Sequence, residues 1–537
     1  MPPHLSSTPP PSNNSPILSL PPEILTQISL ASIPLSGPPT PARALGLTCR
    51  AFHASLGYRT NAPLYAAIFP LQFDSLAPKR RGADFHPESV GHELRNRWSV
   101  LASIRRAVRS HTLQESPERE LWVALTLLME DDGLNACQLA WAGLDEYIQL
   151  FWQERILRPS MDMSLPEETE ERALGFWVLW LTCEEGILER EAALTQQAAL
   201  YALRPYAFAA HKYDIFSAPW YEPVMPLLPS PSSSPSASSP SASTSNEPAP
   251  AGSEPRTKIP YFGHLLPVSP PPAGLAAIML FSLRTSLSPP DAAPMPLAMP
   301  LAPVAQPMHH TATPTAANTA HGAGQLEVVR PPYARELSED RGSHVWDSDW
   351  GRITGCWDLL AGLGLGRETH VDGVWEGKFT FFDFDSYRDM LTGSTRSVYE
   401  GAFASQPQVW RLLTRLSPIP ESRRRQVLAE RRERGAGDGE MTGMDSVLDG
   451  EWRWEEEERV LEGEGHSAWG EFRLVGSVRG WDGLVSLRKE YTPVARGTWL
   501  YRGYLIGERY LVGRWRDTFT EKTQDGYEGI FALARRE

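Results

Sequence analysis

The spacing of hydrophobic residues changes its period about two thirds of the way along the chain. Between residues 92 and 225 apolar positions recur at helical intervals, and Leu144–Leu157 and Glu170–Ala198 are two such stretches. A third, Glu118–Glu130, has its apolar stripe at Leu121, Trp122, Leu125, Leu128 and Met129. After residue 343, short runs rich in Trp, Tyr, Phe and Val alternate with Asp-Gly pairs, which is typical of antiparallel strands. The pattern predicts an α+β multidomain chain, with all-α domains first and an antiparallel β-barrel-like domain last.

Composition adds boundaries to this division. Stretches rich in Pro, Ser, Ala or Thr cannot bury enough apolar surface to offset the entropy of ordering, so we expect them to be disordered. These stretches are 1–15, 226–256 and 289–335. The segments predicted to fold are an F-box-like helical hook at 16–75, a helical domain at 92–225, a helix returning to that domain at 257–288, and the β domain at 343–537, which contains a charged insert at 421–450.

Charge and cysteine content exclude several classes of protein. The net charge of −14 argues against a nucleic-acid binder, which needs clustered Lys and Arg. Four scattered cysteines (49, 137, 183 and 356) without a C-x-x-C pair indicate free thiols and neither a disulfide framework nor a zinc site. The N-terminus lacks a signal-peptide pattern, and the longest apolar stretches reach about half of a membrane span. We therefore expect a protein of the cytoplasm, the nucleus or both, without a membrane partner.

A short pattern, aromatic–Glu–Gly–x–Phe, recurs in the last third of the chain. It occurs at Trp375–Phe379, Tyr399–Phe403 and Tyr527–Phe531. In a strand, the aromatic residue, the Gly and the Phe share one face, and the Gly permits a bend where a sheet closes. Several such strands joined by hairpins predict a small barrel whose inward aromatic residues fill its core.

The glutamates of this pattern raise the possibility of an enzyme. General acid–base chemistry would require two of Glu376, Glu400 and Glu528 to lie within roughly 5–10 Å of each other. Each of them is expected opposite the apolar face, in a solvated position, and the chain has no catalytic sequence motif. We therefore expect no catalytic residue, no metal and no cofactor.

The hook has two apolar halves. In the first, Leu20-Pro21-Pro22-Glu23-Ile24-Leu25, prolines start a helix whose ridge continues to Ile28. The second, Ala44–His53, contains Leu45, Leu47, Cys49 and Phe52. A helical unit this small cannot bury its own apolar surface, so part of it is available to a partner. The alternative is an ordinary helical hairpin packed on the domain behind it.

The L-P-P-E-I-L opening followed by Thr48-Cys49-Arg50-x-Phe52-His53 resembles the F-box, although a proline-rich loop at Ile33–Pro41 separates the halves here. The Trp469–Phe531 stretch is similar to the C-terminal region of F-box proteins of basidiomycete fungi. The resemblance implies binding to a Skp-type adaptor of a cullin–RING ubiquitin ligase, with a non-catalytic role for this chain. The residues it assigns to the adaptor are Leu20, Pro21, Ile24, Leu25, Ile28, Leu45, Cys49 and Phe52.

By the same resemblance, the β domain would select a protein substrate for ubiquitylation. The residues predicted to face that substrate, at the mouth of the barrel, are Trp481, Tyr501, Arg514 and Arg516. Arg514 and Arg516 share a strand face and could meet a carboxylate or a phosphate, or could equally be solvated. A different class of function is also open, in which the barrel carries or senses a small apolar ligand in a dry cavity and the helices are structural.

Overall fold

The computed structural model describes residues 20–183, 188, 192–217, 257–287, 342–356, 369–418, 457–480, 482–492, 497–520 and 526–536. The segments predicted to be disordered, 1–15, 226–256 and 289–335, and the charged insert at 421–450 lie outside these residues. Within the described residues, no helix is long and apolar enough to cross a membrane.

The helices are α1 (Pro22–Ala31), α2 (Thr40–Thr48), α3 (Arg50–Leu56), α4 (Ala62–Gln72), α5 (Leu76–Arg80), α6 (Pro87–Ser110), α7 (Glu118–Met129), α8 (Leu134–Ala142), α9 (Leu144–Phe151), α10 (Arg158–Ser160), α11 (Glu170–Thr182), α12 (Ala193–Phe208), α13 (Ala273–Leu287), α14 (Asp347–Gly355), α15 (Phe384–Leu391) and α16 (Thr395–Glu400). A π-helical turn, Trp152–Leu157, follows α9, and a 3₁₀ turn, Ser343–Trp346, precedes α14.

The strands are β1 (Thr257–Tyr261), β2 (His264–Val268), β3 (Gly373–Phe382), β4 (Phe403–Pro418), β5 (Glu457–Ser467), β6 (Gly470–Val478), β7 (Leu484–Tyr491), β8 (Thr498–Ile506), β9 (Tyr510–Asp517) and β10 (Glu528–Arg535). Strands β1 and β2 form a two-stranded sheet, and β3 to β10 form a closed barrel. The prediction of an α+β chain with N-terminal helices and a C-terminal antiparallel barrel is confirmed.

Three local predictions need correction. The helical stretch predicted at Glu170–Ala198 is divided, because α11 ends at Thr182 and α12 begins at Ala193. The segment at 257–288 begins with the β1–β2 hairpin, turned by Phe262 and Gly263 in the left-handed region, before α13. The Tyr399–Phe403 repeat is not a strand: Ser394 caps α16, which includes Tyr399 and Glu400, and β4 starts only at Phe403.

The described chain divides into two compact units. The first, called the hook unit, contains the described residues up to Thr112, together with Thr126–Leu144 and Pro260–Leu265. The second, called the barrel unit, contains the described residues within Leu113–Leu125, within Asp145–Ile259 and from Leu266 onward.

The core of the hook unit contains a buried ionic network centred on Arg97 of α6. Its guanidinium binds the carboxylates of Glu93 and Glu130, each at 2.7 Å. Glu130 also accepts a hydrogen bond from the Tyr261 hydroxyl at 2.7 Å, and Glu93 accepts one from the Phe262 amide at 3.1 Å. These bonds join α6 to the β1–β2 turn, so the turn is held by charged groups in a dry core.

The barrel of the other unit closes in the order β3 to β10, with β10 paired to β3 and all neighbours antiparallel. The strand registers place alternate side chains of each strand inside the barrel. Among the inward residues are Trp375, Phe379, Trp410, Tyr501, Trp515 and Phe531, all buried. Aromatic residues therefore fill much of the interior, as the repeated pattern predicts.

The inward glycines allow the strands to approach closely. Gly503 of β8 lies directly opposite Gly513 of β9. A Cβ atom at Gly503 would collide with the Val512 carbonyl oxygen, and one at Gly513 would lie 2.6 Å from the Gly503 Cα. Only glycine fits at this pair, because the strands are too tightly coiled for a side chain.

The outer face of the barrel has two kinds of surface. Helices α12 and α13 pack against β10, and α13 also packs against β9. The outer face of β4 to β7 instead carries alternating charges, since Arg411 lies opposite Glu464, and Glu464 lies opposite Arg473. These three side chains are exposed, as expected for the solvated side of an antiparallel sheet.

Candidate functional site

Helix α1 of the hook divides its apolar side chains between a core and a surface. Leu25 is buried, with 4% of its surface exposed, whereas Ile24 and Ile28 retain 45% and 42%. Ile24 and Ile28 are one turn apart and therefore lie on the same side of α1. This pair forms an exposed aliphatic ridge, while Leu20 is half-buried and Pro21 is exposed.

The second half of the hook shows the same division. The Cys49 thiol accepts a hydrogen bond from the Phe52 amide at 3.5 Å and so caps α3. Phe52 is buried, Leu45 and Cys49 are half-buried, and Leu47 is 68% exposed. The assignment of Leu25 and Phe52 to an adaptor surface is therefore corrected: both lie in the core. Leu47, left out of that assignment, is an exposed large apolar residue of α2.

Two buried glutamines hold the proline-rich loop between the halves. Gln138 accepts a hydrogen bond from the Gly37 amide at 2.9 Å and donates one to the Leu35 carbonyl at 2.8 Å. Gln72 donates to the Gly37 carbonyl at 2.8 Å and accepts from the Trp98 indole at 3.0 Å. The loop is thus an ordered connection, because its backbone groups are paired with α4 and α8.

Gly37→Ala is expected to lower the free energy of unfolding of the hook unit by about 2 kcal/mol. The residue has a φ of +90°, and an added Cβ would lie 2.7 Å from the Trp141 indole nitrogen. Gly82→Ala is the matched control, since Gly82 has a φ of +74° with open space around it. Urea denaturation of both variants separates the collision from the backbone strain, and equal losses would contradict the packing argument.

Of the four residues predicted to face a substrate, the three that the structure describes do not share an exposed surface. Trp481 lies outside the described residues, and Tyr501 is buried inside the barrel. Arg514 points outward but is buried. Its guanidinium donates hydrogen bonds to the carbonyls of Tyr206 and Ala207 in the last turn of α12, and to the carbonyl of Tyr213, which follows that helix. The expectation that Arg514 meets a ligand is thus corrected, because a helix end already occupies its donors.

Arg516 remains accessible among these residues. Its side chain is 18% exposed, and its guanidinium lies 3.9 Å from the Glu528 carboxylate on the neighbouring strand. The pair is partly solvated and lies on the outer face of the barrel, where an ion pair contributes little to stability. Arg514 and Arg516 share a strand face, as predicted, but only Arg516 is accessible.

Each of the three glutamates of the aromatic pattern lies near an arginine. Glu376 binds Arg536 at 2.8 Å, Glu400 binds Arg396 at 2.6 Å, and Glu528 lies near Arg516. Glu376 is opposite Ala534, six positions along β10 from Glu528, so their backbones are about 20 Å apart. Glu400 is the last residue of α16 and its side chain is exposed. Glu376 and Glu528 do not converge as a carboxylate pair requires, and each glutamate has an arginine neighbour.

The barrel interior contains a cationic residue that hydropathy patterning did not indicate, Lys489 of β7. Its amine donates to the Gln408 side-chain oxygen at 2.9 Å and lies 3.8 Å from the Phe472 ring centre. The rings of Tyr491, Phe379 and Tyr501 follow at 4.7, 4.9 and 5.5 Å. Burial lowers the pKa of Lys489 well below its ordinary value, because a charged amine loses its hydration there.

Neither side-chain chemistry nor similarity to known proteins assigns a function directly. Among the described residues, no group of three or more His, Cys, Asp and Glu side chains is placed to hold a metal ion. Comparisons with known proteins find no matching family model, no matching curated protein and no matching solved structure. The fold and sites define an α+β protein with a helical hook and a closed eight-stranded antiparallel barrel.

Proposed function

We propose that the chain is an F-box-type substrate receptor, which binds a Skp-type adaptor of a cullin–RING ubiquitin ligase through its hook. It would be a non-catalytic subunit acting in the cytoplasm, the nucleus or both. The observation that carries this proposal is the exposed ridge of Ile24 and Ile28 on α1, together with exposed Leu47 on α2.

The division of side chains within the hook supports a docking role. Leu25, Phe52 and Leu56 bury the inner side of the hook, with exposures of 4%, 4% and 1%. The exposure of an aliphatic ridge to water is unfavourable, and it ends only when a partner covers the ridge. The ordered loop at Ile33–Pro41 supports the same role, because it fixes the connection between the two halves.

The β domain would then contact the protein to be ubiquitylated. Among the described residues of the predicted substrate surface, Arg516 is accessible, and it lies on the outer face of β9. The charged outer face of β4 to β7 is a second exposed region of the same barrel. We assign the target to the outside of this domain, because its interior is lined by buried side chains.

The adaptor proposal is tested by co-purifying the full chain with a Skp-type adaptor. Wild type is expected to give a one-to-one complex, and Ile24→Asp combined with Ile28→Asp is expected to weaken the complex more than tenfold. Two charges on the ridge would have to lose hydration on docking, which is costly without a partner charge. Both residues are exposed, so this variant keeps the core that Leu25→Asp would disrupt.

Leu71→Asp combined with Leu76→Asp is the matched control, because these residues are 45% and 59% exposed on α4 and α5 of the same unit. This variant should bind like wild type. Absence of binding by folded wild type would overturn the proposal. So would an equal effect of the two double variants, since the contact would then be nonspecific.

A further inference from the structure

The interior of the barrel holds several buried hydrogen-bond donors that lack an acceptor. Lys489 brings an amine, which donates to the Gln408 side-chain oxygen. The Gln408 amide nitrogen and the indole nitrogens of Trp410, Trp499 and Trp515 are buried without a hydrogen-bond partner. The exposed fractions of these four residues are 1%, 0%, 2% and 1%.

These donors belong to one cluster. Gln408 and Trp410 are successive inward residues of β4, and Trp499 lies directly opposite Lys489 in the register of β7 and β8. The Tyr501 ring connects them, because it lies 5.5 Å from the Lys489 amine and 5.1 Å from the Trp410 ring. Trp515 completes the group, with its ring 5.3 Å from that of Trp499.

Unpaired buried donors are unusual in a folded protein. Each one forfeits its hydrogen bond to water, and a buried amine also lacks a counter-charge. Among the described residues, no carboxylate lies within ion-pair distance of Lys489, and the titratable groups that face it are the phenols of Tyr491 and Tyr501. Asp517 lies opposite Trp499 in the register of β8 and β9, but its carboxylate accepts hydrogen bonds from the Phe519, Thr520 and Tyr527 amides. What Lys489 lacks is therefore a bonded acceptor that carries negative charge.

We propose that the barrel interior around Lys489 binds a small organic carboxylate. Its oxygens accept hydrogen bonds from Lys489, from the Gln408 amide and from the Trp410 indole, and its apolar part lies among the aromatic rings. A carboxylate is the ligand class that supplies both the acceptors and the counter-charge. This site is independent of the adaptor-binding hook, and its ligand differs from the wholly apolar one that a dry barrel would carry.

Trp469 marks the end of the barrel nearest to the rings around the Lys489 amine. Trp469 lies in the turn between β5 and β6 and is half-buried. Its ring is 5.0 Å from Phe379 and 6.5 Å from Tyr491, which are two of the rings around the Lys489 amine. A single aromatic layer therefore separates the Trp469 side chain from the amine, and a ligand would approach the amine from this end.

Binding is tested by titrating the full chain with straight-chain carboxylates from acetate to decanoate, and with the matching primary alcohols, by calorimetry. Wild type is expected to bind one carboxylate of the series at least tenfold more tightly than its alcohol. Because binding supplies a counter-charge to a buried amine, the complex should also take up a proton where the empty amine is neutral. Titrations in buffers of different ionisation enthalpy measure that proton.

Three variants distinguish binding at this site from nonspecific binding. Lys489→Met and Gln408→Met should each weaken carboxylate binding at least tenfold, and Lys489→Met should abolish the proton uptake. Lys378→Met is the matched control, since Lys378 lies on the outer face of β3, the strand that pairs with β4. This variant should bind like wild type. Unchanged binding in folded Lys489→Met, or no carboxylate binding by folded wild type, would overturn the proposal whatever the adaptor experiment shows.

Discussion

Arg97→Leu is expected to lower the free energy of unfolding by about 3–5 kcal/mol, because it leaves Glu93 buried without a cation and Glu130 with only a longer contact to Arg81. Arg97 is 1% exposed, and its partners Glu93 and Glu130 are 4% and 0% exposed. Arg81 lies 3.8 Å from Glu130, too far to replace two bonds of 2.7 Å. The variant would also release the β1–β2 turn, whose Phe262 amide and Tyr261 hydroxyl depend on these carboxylates.

The loss of unfolding free energy caused by Arg97→Leu should become smaller as the pH falls. Burial raises the pKa of Glu93, and the Arg97 charge opposes that rise. Without the arginine the pKa rises further, so the folded variant binds more protons than its unfolded state over a wider range above about pH 4. Its stability is therefore lost as the pH increases through that range, and urea denaturation at pH 5 and pH 8 should show the larger deficit at pH 8.

Arg106→Leu is the control for this experiment. Arg106 lies on the same helix, α6, but it is exposed, so its removal should change stability by no more than about 0.5 kcal/mol. A loss below about 1 kcal/mol for Arg97→Leu would show that the network is compensated by hydration or by relaxation of the core. A deficit independent of pH would contradict the role given to Glu93.

Hydropathy patterning predicts the class of the fold because helices and strands bury their faces at different periods. The Asp482-Gly483 turn is confirmed, since Gly483 has a φ of +76° that favours glycine. The Tyr399–Phe403 repeat failed for a local reason: Ser394 and Asp383 provide caps that start short helices before β4. Capping by a nearby polar side chain therefore outweighs an aromatic pattern of five residues.

The sites were harder to predict, because the alternation of apolar and polar residues defines the two faces of a strand but does not show what covers each face. Arg514 lies on the outer face, where an arginine is normally solvated, but α12 ends above it and accepts its hydrogen bonds. Lys489 occupies an inward position in the sequence Leu487-x-Lys489-x-Tyr491, where its apolar neighbours two residues away were the available signal. Tertiary packing, which no short pattern contains, decides both positions.

Lys489→Met is expected to raise the free energy of unfolding by about 1–3 kcal/mol at neutral pH, although it removes a hydrogen bond to Gln408. Methionine has a similar length, packs well against aromatic rings and carries no amine that must lose its hydration. A more stable variant would show that the barrel retains the lysine for binding rather than for folding. A loss of stability would instead show that the amine and its surrounding rings form a favourable cation–π contact.

The pH dependence distinguishes these two outcomes further. The pKa of Lys489 is lowered in the folded protein, so between that pKa and about 10.4 the unfolded state binds the additional proton. Wild-type stability therefore gains with rising pH in this window, by up to about 1.4 kcal/mol per pH unit, and the advantage of Lys489→Met should shrink in parallel. Lys258→Met, at an exposed lysine of β1, should show no such trend. An advantage that stays constant from neutral to alkaline pH would mean that the buried amine keeps its proton, and the aromatic rings rather than a ligand would then have to stabilise its charge.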